Sequence, residues 1–279
     1  MDLGVPGSRI HAYTGGKAFD PRLPCVVFVH GAQHDHSVWI LQSRSLAHHG
    51  FAVLAFDLPG HGRSRGPLPA SVEGHAERIA GVLGVLASPR FVLVGHSMGA
   101  LIALEVARRL PARVAGVALL GAAFPMRVSD ALLAATRDDP ATAMQIINVW
   151  SHSASIAPFA ARPSNPGPGF NVVWQNLRLM ERIARLNGAD VLPTDFAACH
   201  AYANGIEAAQ ALRCPALFIS GAADQMTPPK AARALIDACP DSEVVTLPAA
   251  GHALMAENPE AVRQALHAFA QRVTSPVAA

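Results

Sequence analysis

The chain has 279 residues, of which 51% are hydrophobic and 15% charged, and its formal net charge is +2. So much apolar surface builds a sizeable core and excludes a disordered chain, while scattered Lys and Arg at near-neutral charge exclude a basic nucleic-acid surface. Cys25, Cys199, Cys214 and Cys239 form no C-x-x-C pair and read as small buried residues of a reducing compartment. Residues 1–14 lack a signal-peptide pattern, and no apolar run reaches the roughly 18 residues needed to span a bilayer. A cytoplasmic protein without stable membrane insertion is expected.

Apolar runs at 25–29, 52–56, 91–94, 114–120, 216–219 and 244–247 alternate with helical stretches near 36–48, 72–87, 98–110, 230–238 and 259–272. Continuous rather than alternating apolar runs predict strands covered on both faces, as in a parallel sheet flanked by helices. The fold class is therefore α/β, doubly wound. The rhythm breaks between Phe124 and about Arg213, where helical patterns lie near 130–150, 171–187 and 196–211. A Pro/Gly-dense connector, 163–169, separates the first two. This insertion carries Trp150, Phe159, Phe170, Trp174, Met180 and Phe196. It is expected to form a cap over the strand ends, where ligands bind in such sheets.

Gly95-His96-Ser97-Met98-Gly99 sits between a strand and a helix. Only small residues fit two positions either side of a serine on so sharp a turn, so the segment reads as a nucleophile elbow with Ser97 exposed to a cleft. The Met98 N–H then starts a helix and faces any charge developing on a bound carbonyl. A serine nucleophile needs a base and an acid to orient it, expected on later strand-end loops in the order Ser, acid, His. Asp224, after strand 216–220, and His252, after strand 243–247, arrive in that order. Asp130 and Asp195 are weaker acid candidates, since both lie in the insertion. The loop His30-Gly31-Ala32-Gln33 supplies the Ala32 N–H as a second oxyanion donor, with Gly31 letting the backbone approach closely. His30 reads as structural.

His34-x-His36 and His48-His49 invite a metal reading, but no carboxylate or cysteine completes a ligand spacing, so no metal is expected. The segment from Asp57 to Ser64 contains neither a phosphate-binding loop nor a dinucleotide fingerprint. It reads as a tight structural connection, and no cofactor is expected.

Taken together, His30-Gly31, Asp57 to Ser64, Gly95 to Gly99, Gly221 to Asp224 with Pro228, and Gly251-His252 resemble the landmarks of the α/β-hydrolase superfamily, in order. The Gly-His-Ser-Met-Gly elbow is most similar to capped bacterial carboxylesterases and monoacylglycerol-type lipases. The resemblance implies a mostly parallel eight-stranded sheet, with the core at 1–123 and 211–279 and a helical cap at 124–210, inserted after strand six. It also implies an irregular N-terminal strand pair around 9–14. Serine at position 97 argues against the haloalkane dehalogenases and epoxide hydrolases, which carry aspartate there. The expected activity is cofactor-free hydrolysis of a carboxylic ester through an acyl-enzyme on Ser97. The substrate is expected to be apolar or aromatic, lined by Gly31, Trp150 and Trp174. Carbon–carbon bond hydrolysis of the meta-cleavage-product type, or ligand binding without turnover, are the alternatives.

Overall fold

The sheet is built from strands β1 (Asp2–Val5), β2 (Ser8–Tyr13), β3 (Cys25–Val29), β4 (Ala52–Phe56), β5 (Phe91–His96), β6 (Val114–Leu120), β7 (Ala216–Gly221) and β8 (Ser242–Leu247). This computed structural model describes residues 1–153 and 168–275. The strands lie in the order β1-β2-β4-β3-β5-β6-β7-β8, with β1 and β2 antiparallel to their neighbours and the rest parallel. The N-terminal pair is thus a hairpin that begins at Asp2, earlier than the sequence pattern suggested.

Side chains alternate across a strand, so each central strand feeds two cores. Cys25, Val27 and Val29 of β3 join one buried cluster, while Val26 and Phe28 join the other. Helices α2 (Val72–Val85) and α3 (Met98–Arg109) supply apolar residues to the first. Helix α1 (Ile40–His48) and the helix at Pro259–Thr274 cover the second. Strand β8 departs from the expectation of two covered faces. It is the edge strand, largely exposed, with Val244 49% accessible.

Several helical stretches are subdivided. The stretch 130–150 is two helices, α4 (Asp130–Asp138) and α5 (Pro140–Trp150). Pro140 lacks an N–H and disfavours helical geometry at Asp139, whose carboxylate instead caps α5 by accepting the Thr142 N–H at 3.1 Å. The connector expected at 163–169 and Phe159 lie largely outside the described residues. Helix α6 already begins at Pro168 and runs to Asn187, a placement that proline tolerates at a first turn. The third stretch divides into α7 (Val191–Ala201) and α8 (Gly205–Gln210). Likewise, a 3-10 turn at His36–Trp39 precedes α1, and another at Pro229–Ala232 precedes α9 (Arg233–Ala238). Short α10 (Leu254–Glu257) and long α11 (Pro259–Thr274) close the chain.

The insertion after β6 has its own small core of Leu132, Met144, Ile147, Met180, Leu192 and Phe196. Its last helix is different: Ala208 and Ala209 of α8 are buried in the main core, against α3. Among the described residues no helix is long and apolar enough to cross a membrane.

Candidate active site

Ser97 occupies the turn between β5 and α3 with φ 54° and ψ −121°. A non-glycine residue in this region costs on the order of 1–3 kcal/mol, so its surroundings must hold it there. They do: the Ser97 N–H donates to the Leu120 carbonyl at 2.9 Å, and its carbonyl accepts from Ala100 at 2.9 Å. A Cβ on Gly95 would run into the Gly99 carbonyl, and one on Gly99 into those of Val29 and His30. Both glycines are therefore required by packing, and the elbow rests directly on the end of β3. Met98 opens α3, where first-turn N–H groups have no intrahelical acceptor and the helix dipole is positive.

Asp224 follows β7 and His252 follows β8, and they meet: His252 Nδ1 lies 2.8 Å from Asp224 Oδ2. Met226 and Thr227 donate their backbone N–H groups to Asp224 Oδ1, each at 2.8 Å. Burial alone would push this carboxyl upward, but the His252 imidazole and the Thr227 hydrogen bonds outweigh it, and the carboxyl is held below its ordinary range. An ionised Asp224 fixes the proton on His252 Nδ1, which leaves Nε2 as the basic nitrogen. Asp130 is exposed at the start of α4, and Asp195 pairs with a different histidine.

His30 stands behind the loop, as its structural reading required. Its Nε2 accepts the Leu58 N–H at 3.0 Å, so Nδ1 carries the hydrogen and donates to the Gly31 carbonyl at 2.8 Å. Burial, chiefly, and the neighbouring His61 push the His30 imidazole down to about 3, consistent with that neutral tautomer. In a planar trans peptide the C=O and N–H point opposite ways. Holding the Gly31 oxygen toward His30 therefore turns the Ala32 N–H away from it.

Ser97, His252, Gly31 and Ala32 line one small cavity of about 30 Å³, with Phe196 and Met226 among its other walls. An outer pocket of about 450 Å³ shares His34, His96 and His252 with it and is walled by Val38, Leu41, Trp174, Leu179 and Met255. Trp174 is at this outer rim, with Arg178 over its ring at 5.4 Å. Trp150 is not brought to the site. It faces a separate surface groove beside Leu132, Ala135 and Val149, because the helical turn that buries Met144, Ile147 and Ser151 directs it outward. Nothing in a local pattern separated the two tryptophans. The side chain of Phe170 lies outside what the structure describes.

Sequence reasoning missed several residues around the cavity. His96 donates from Nε2 to the His252 carbonyl at 2.9 Å, and burial, chiefly, keeps this ring neutral with its buried Nδ1 unprotonated. His34 Nε2 donates to Asn176 Oδ1 at 3.0 Å, and burial pushes that imidazole down to about 4. Thr227 touches both Asp224 and His252. Glu257 accepts the N–H of Gly251 at 3.0 Å and of Ser153 at 2.9 Å, bracing the histidine loop. Only the non-glycine filling of the elbow, at His96, was a visible cue.

His34 and His36 serve different partners, Asn176 and Asp57. Asp57 is fully buried and accepts from the His36 and Arg63 N–H groups at 2.8 Å each. This makes the segment from Asp57 to Ser64 a clasp between loops. Among the described residues His11, His36 and Asp57 offer ligand atoms within 4.8 Å of one another, yet Asp2 and Asp57 already occupy both Nδ1 atoms, at 2.9 and 2.6 Å.

Comparison with known proteins identifies the family. Residues 26–265 match the model of the Alpha/beta hydrolase family, and the chain belongs to that family. It is 30% identical over 269 residues to the dihydrolipoyllysine-residue acetyltransferase component of the acetoin cleaving system of Pseudomonas putida, covering 92% of this chain and 65% of the relative. The chain thus spans just under two thirds of that relative. A pimeloyl-[acyl-carrier protein] methyl ester esterase of Nitrosospira multiformis is 40% identical over 103 residues, 34% of this chain and 37% of the esterase. Among solved structures, an esterase from Exiguobacterium antarcticum superposes with a TM-score of 0.82 at 18% identity, over 97% of this chain and 98% of its own. At that identity the likeness concerns the fold.

Proposed function

We propose that this chain is a cofactor-free serine hydrolase that cleaves carboxylic esters, with 124–210 acting as a lid over a core of 1–123 and 211–279. The observation that carries the reading is the His252–Asp224 pair at 2.8 Å, facing the same cavity as a Ser97 held at positive φ. Ser97 Oγ attacks the ester carbonyl as His252 Nε2 takes its proton. Asp224 holds the imidazole in the useful tautomer and stabilises its cation. The N–H groups of Ala32 and Met98 hold the oxyanion. The imidazolium then gives its proton to the leaving alcohol, and water, deprotonated by the same nitrogen, releases the acid and restores the serine.

The small inner cavity and the larger, mostly apolar outer pocket with Trp174 at its rim support an apolar or aromatic ester as substrate. Family membership and the methyl ester esterase among the relatives support hydrolysis in general. Ser97→Ala is expected to abolish turnover of a nitrophenyl ester and labelling by a fluorophosphonate; a mutant that keeps its turnover refutes the reading. Turnover of a ring-fission dienoate but not of esters would favour carbon–carbon hydrolysis by the same residues. Ligand binding without any acyl-enzyme in intact-mass spectra would favour a binding protein.

A further inference from the structure

A second buried aspartate–histidine pair lies behind the cavity. Asp195, on α7, has no exposed surface, and its Oδ2 accepts from His61 Nε2 at 2.9 Å and from the Gln33 N–H at 2.8 Å. The other ring nitrogen of His61 faces the Pro59 carbonyl at 3.1 Å, so both nitrogens donate and the ring is an imidazolium. Burial opposes that charge, but the Asp195 carboxylate prevails and raises the His61 pKa. Asp195 Oδ1 has no partner among the described residues. A buried ion pair with an orphaned oxygen is a poor way to gain stability, since apolar residues of the same volume often do better. Its location suggests another use.

Gln33 directly follows Ala32 and has φ 56°, one of three non-glycine residues at positive φ in the described chain. Its side chain is also held from the insertion, Nε2 donating to the Met180 carbonyl at 3.0 Å. The two peptide planes around Ala32 are thus fixed from opposite sides. His30 holds the Gly31 oxygen, and Asp195 holds the Gln33 N–H. We infer that Asp195, braced by His61, is a positioning residue that keeps the Ala32 N–H aimed at the oxyanion by pinning Gln33 in its strained conformation. The insertion thereby completes the oxyanion hole as well as covering it. This rests on the serine-hydrolase reading above.

The test uses the full chain and para-nitrophenyl butyrate. Asp195→Asn keeps the shape but replaces a charge-assisted acceptor with a weaker neutral one, so kcat is expected to fall about 10-fold with KM within about twofold. Adding Gln33→Gly to that variant should recover several-fold of the lost kcat, because glycine adopts positive φ without a clamp. A residue that only held the fold together would not give that recovery. His61→Gln, which removes the cation but leaves the carboxylate, is the second line and is expected to lower kcat about fivefold at constant KM. Wild-type kcat in both single variants, or a loss carried entirely by KM, overturns the inference while the hydrolase reading stands. Absence of Ser97-dependent turnover in the wild type overturns both.

Discussion

The Thr227 hydroxyl lies 2.8 Å from Asp224 Oδ2, the same oxygen that faces His252, and 3.0 Å from His252 Nδ1 itself. A second polar group is thus packed into the contact that orients the imidazole, and its oxygen is also 3.0 Å from the Gly121 carbonyl. Thr227→Val preserves the shape and removes the hydroxyl. It is expected to lower kcat on a nitrophenyl ester about fivefold with little change in KM, the equivalent of one ordinary hydrogen bond of roughly 1 kcal/mol. Thr227→Ser should restore most of it, and full activity in the valine variant would show the hydroxyl to be a bystander.

Asp224→Asn is a larger lesion. The amide lets His252 settle in the wrong tautomer, and kcat is expected to drop by about 10⁴ while the circular dichroism spectrum stays native. A fall of less than tenfold would point to another acid.

The two tryptophans of the insertion should behave differently. Trp174→Ala trims the rim of the outer pocket and is expected to raise KM for an aryl ester several-fold. Trp150→Ser acts on the remote groove and should leave kcat/KM within about twofold, because surface changes away from a site are nearly neutral. Equal effects from both would mean that the groove beside Leu132 takes part in binding.

Asp57 gives a pH prediction. Burial would raise its pKa, but the His36 side chain and the backbone N–H groups of His36 and Arg63 prevail, taking it from the ordinary 3.8 down to about 2. A folded-state pKa below the unfolded one contributes stability above the unfolded value, and that stability is lost as pH falls through the folded one. Asp57→Asn should therefore cost about 2 kcal/mol in urea unfolding at pH 7. The gap between the two proteins should close between pH of about 4 and about 2. A gap that persists in acid would assign the cost to shape rather than charge.

Glu257→Gln replaces one of two acceptor oxygens with a donor that opposes a backbone N–H, at Gly251 or Ser153. A loss of about 1–2 kcal/mol is expected, lowering Tm by about 2–4 °C. An unchanged melting curve would show that the loop before His252 is held by other contacts.

The landmarks that were readable in the sequence are those whose chemistry is written into a few consecutive residues. The glycines two positions either side of Ser97 exist to let backbone touch backbone, so they mark the elbow without any knowledge of the rest of the chain. Asp224 and His252 follow strands strong enough to be recognised, and their loops inherit a place at one end of the sheet. Asp195 is the opposite case. It stands 162 positions from Gln33, and a lone aspartate in a helix gives no sign of which backbone it will serve. Its pairing depends on how the insertion folds back over the sheet. Helix breaks at Pro140 and at Tyr202–Asn204 were blurred for a related reason, since apolar spacing carries on across them.

The return of the insertion to the core bears on how the protein could be re-engineered. Tyr202 donates to the buried Glu105 at 3.0 Å, and α8 beyond it is seated on α3, the helix that starts at Met98. A foreign segment grafted up to position 210 would replace part of the support under α3, the helix that starts just after Ser97. A transplant that ends ahead of Tyr202 keeps that seat on α3, but it has to bring its own acceptors for the Gln33 backbone and side chain, which Asp195 and Met180 supply here.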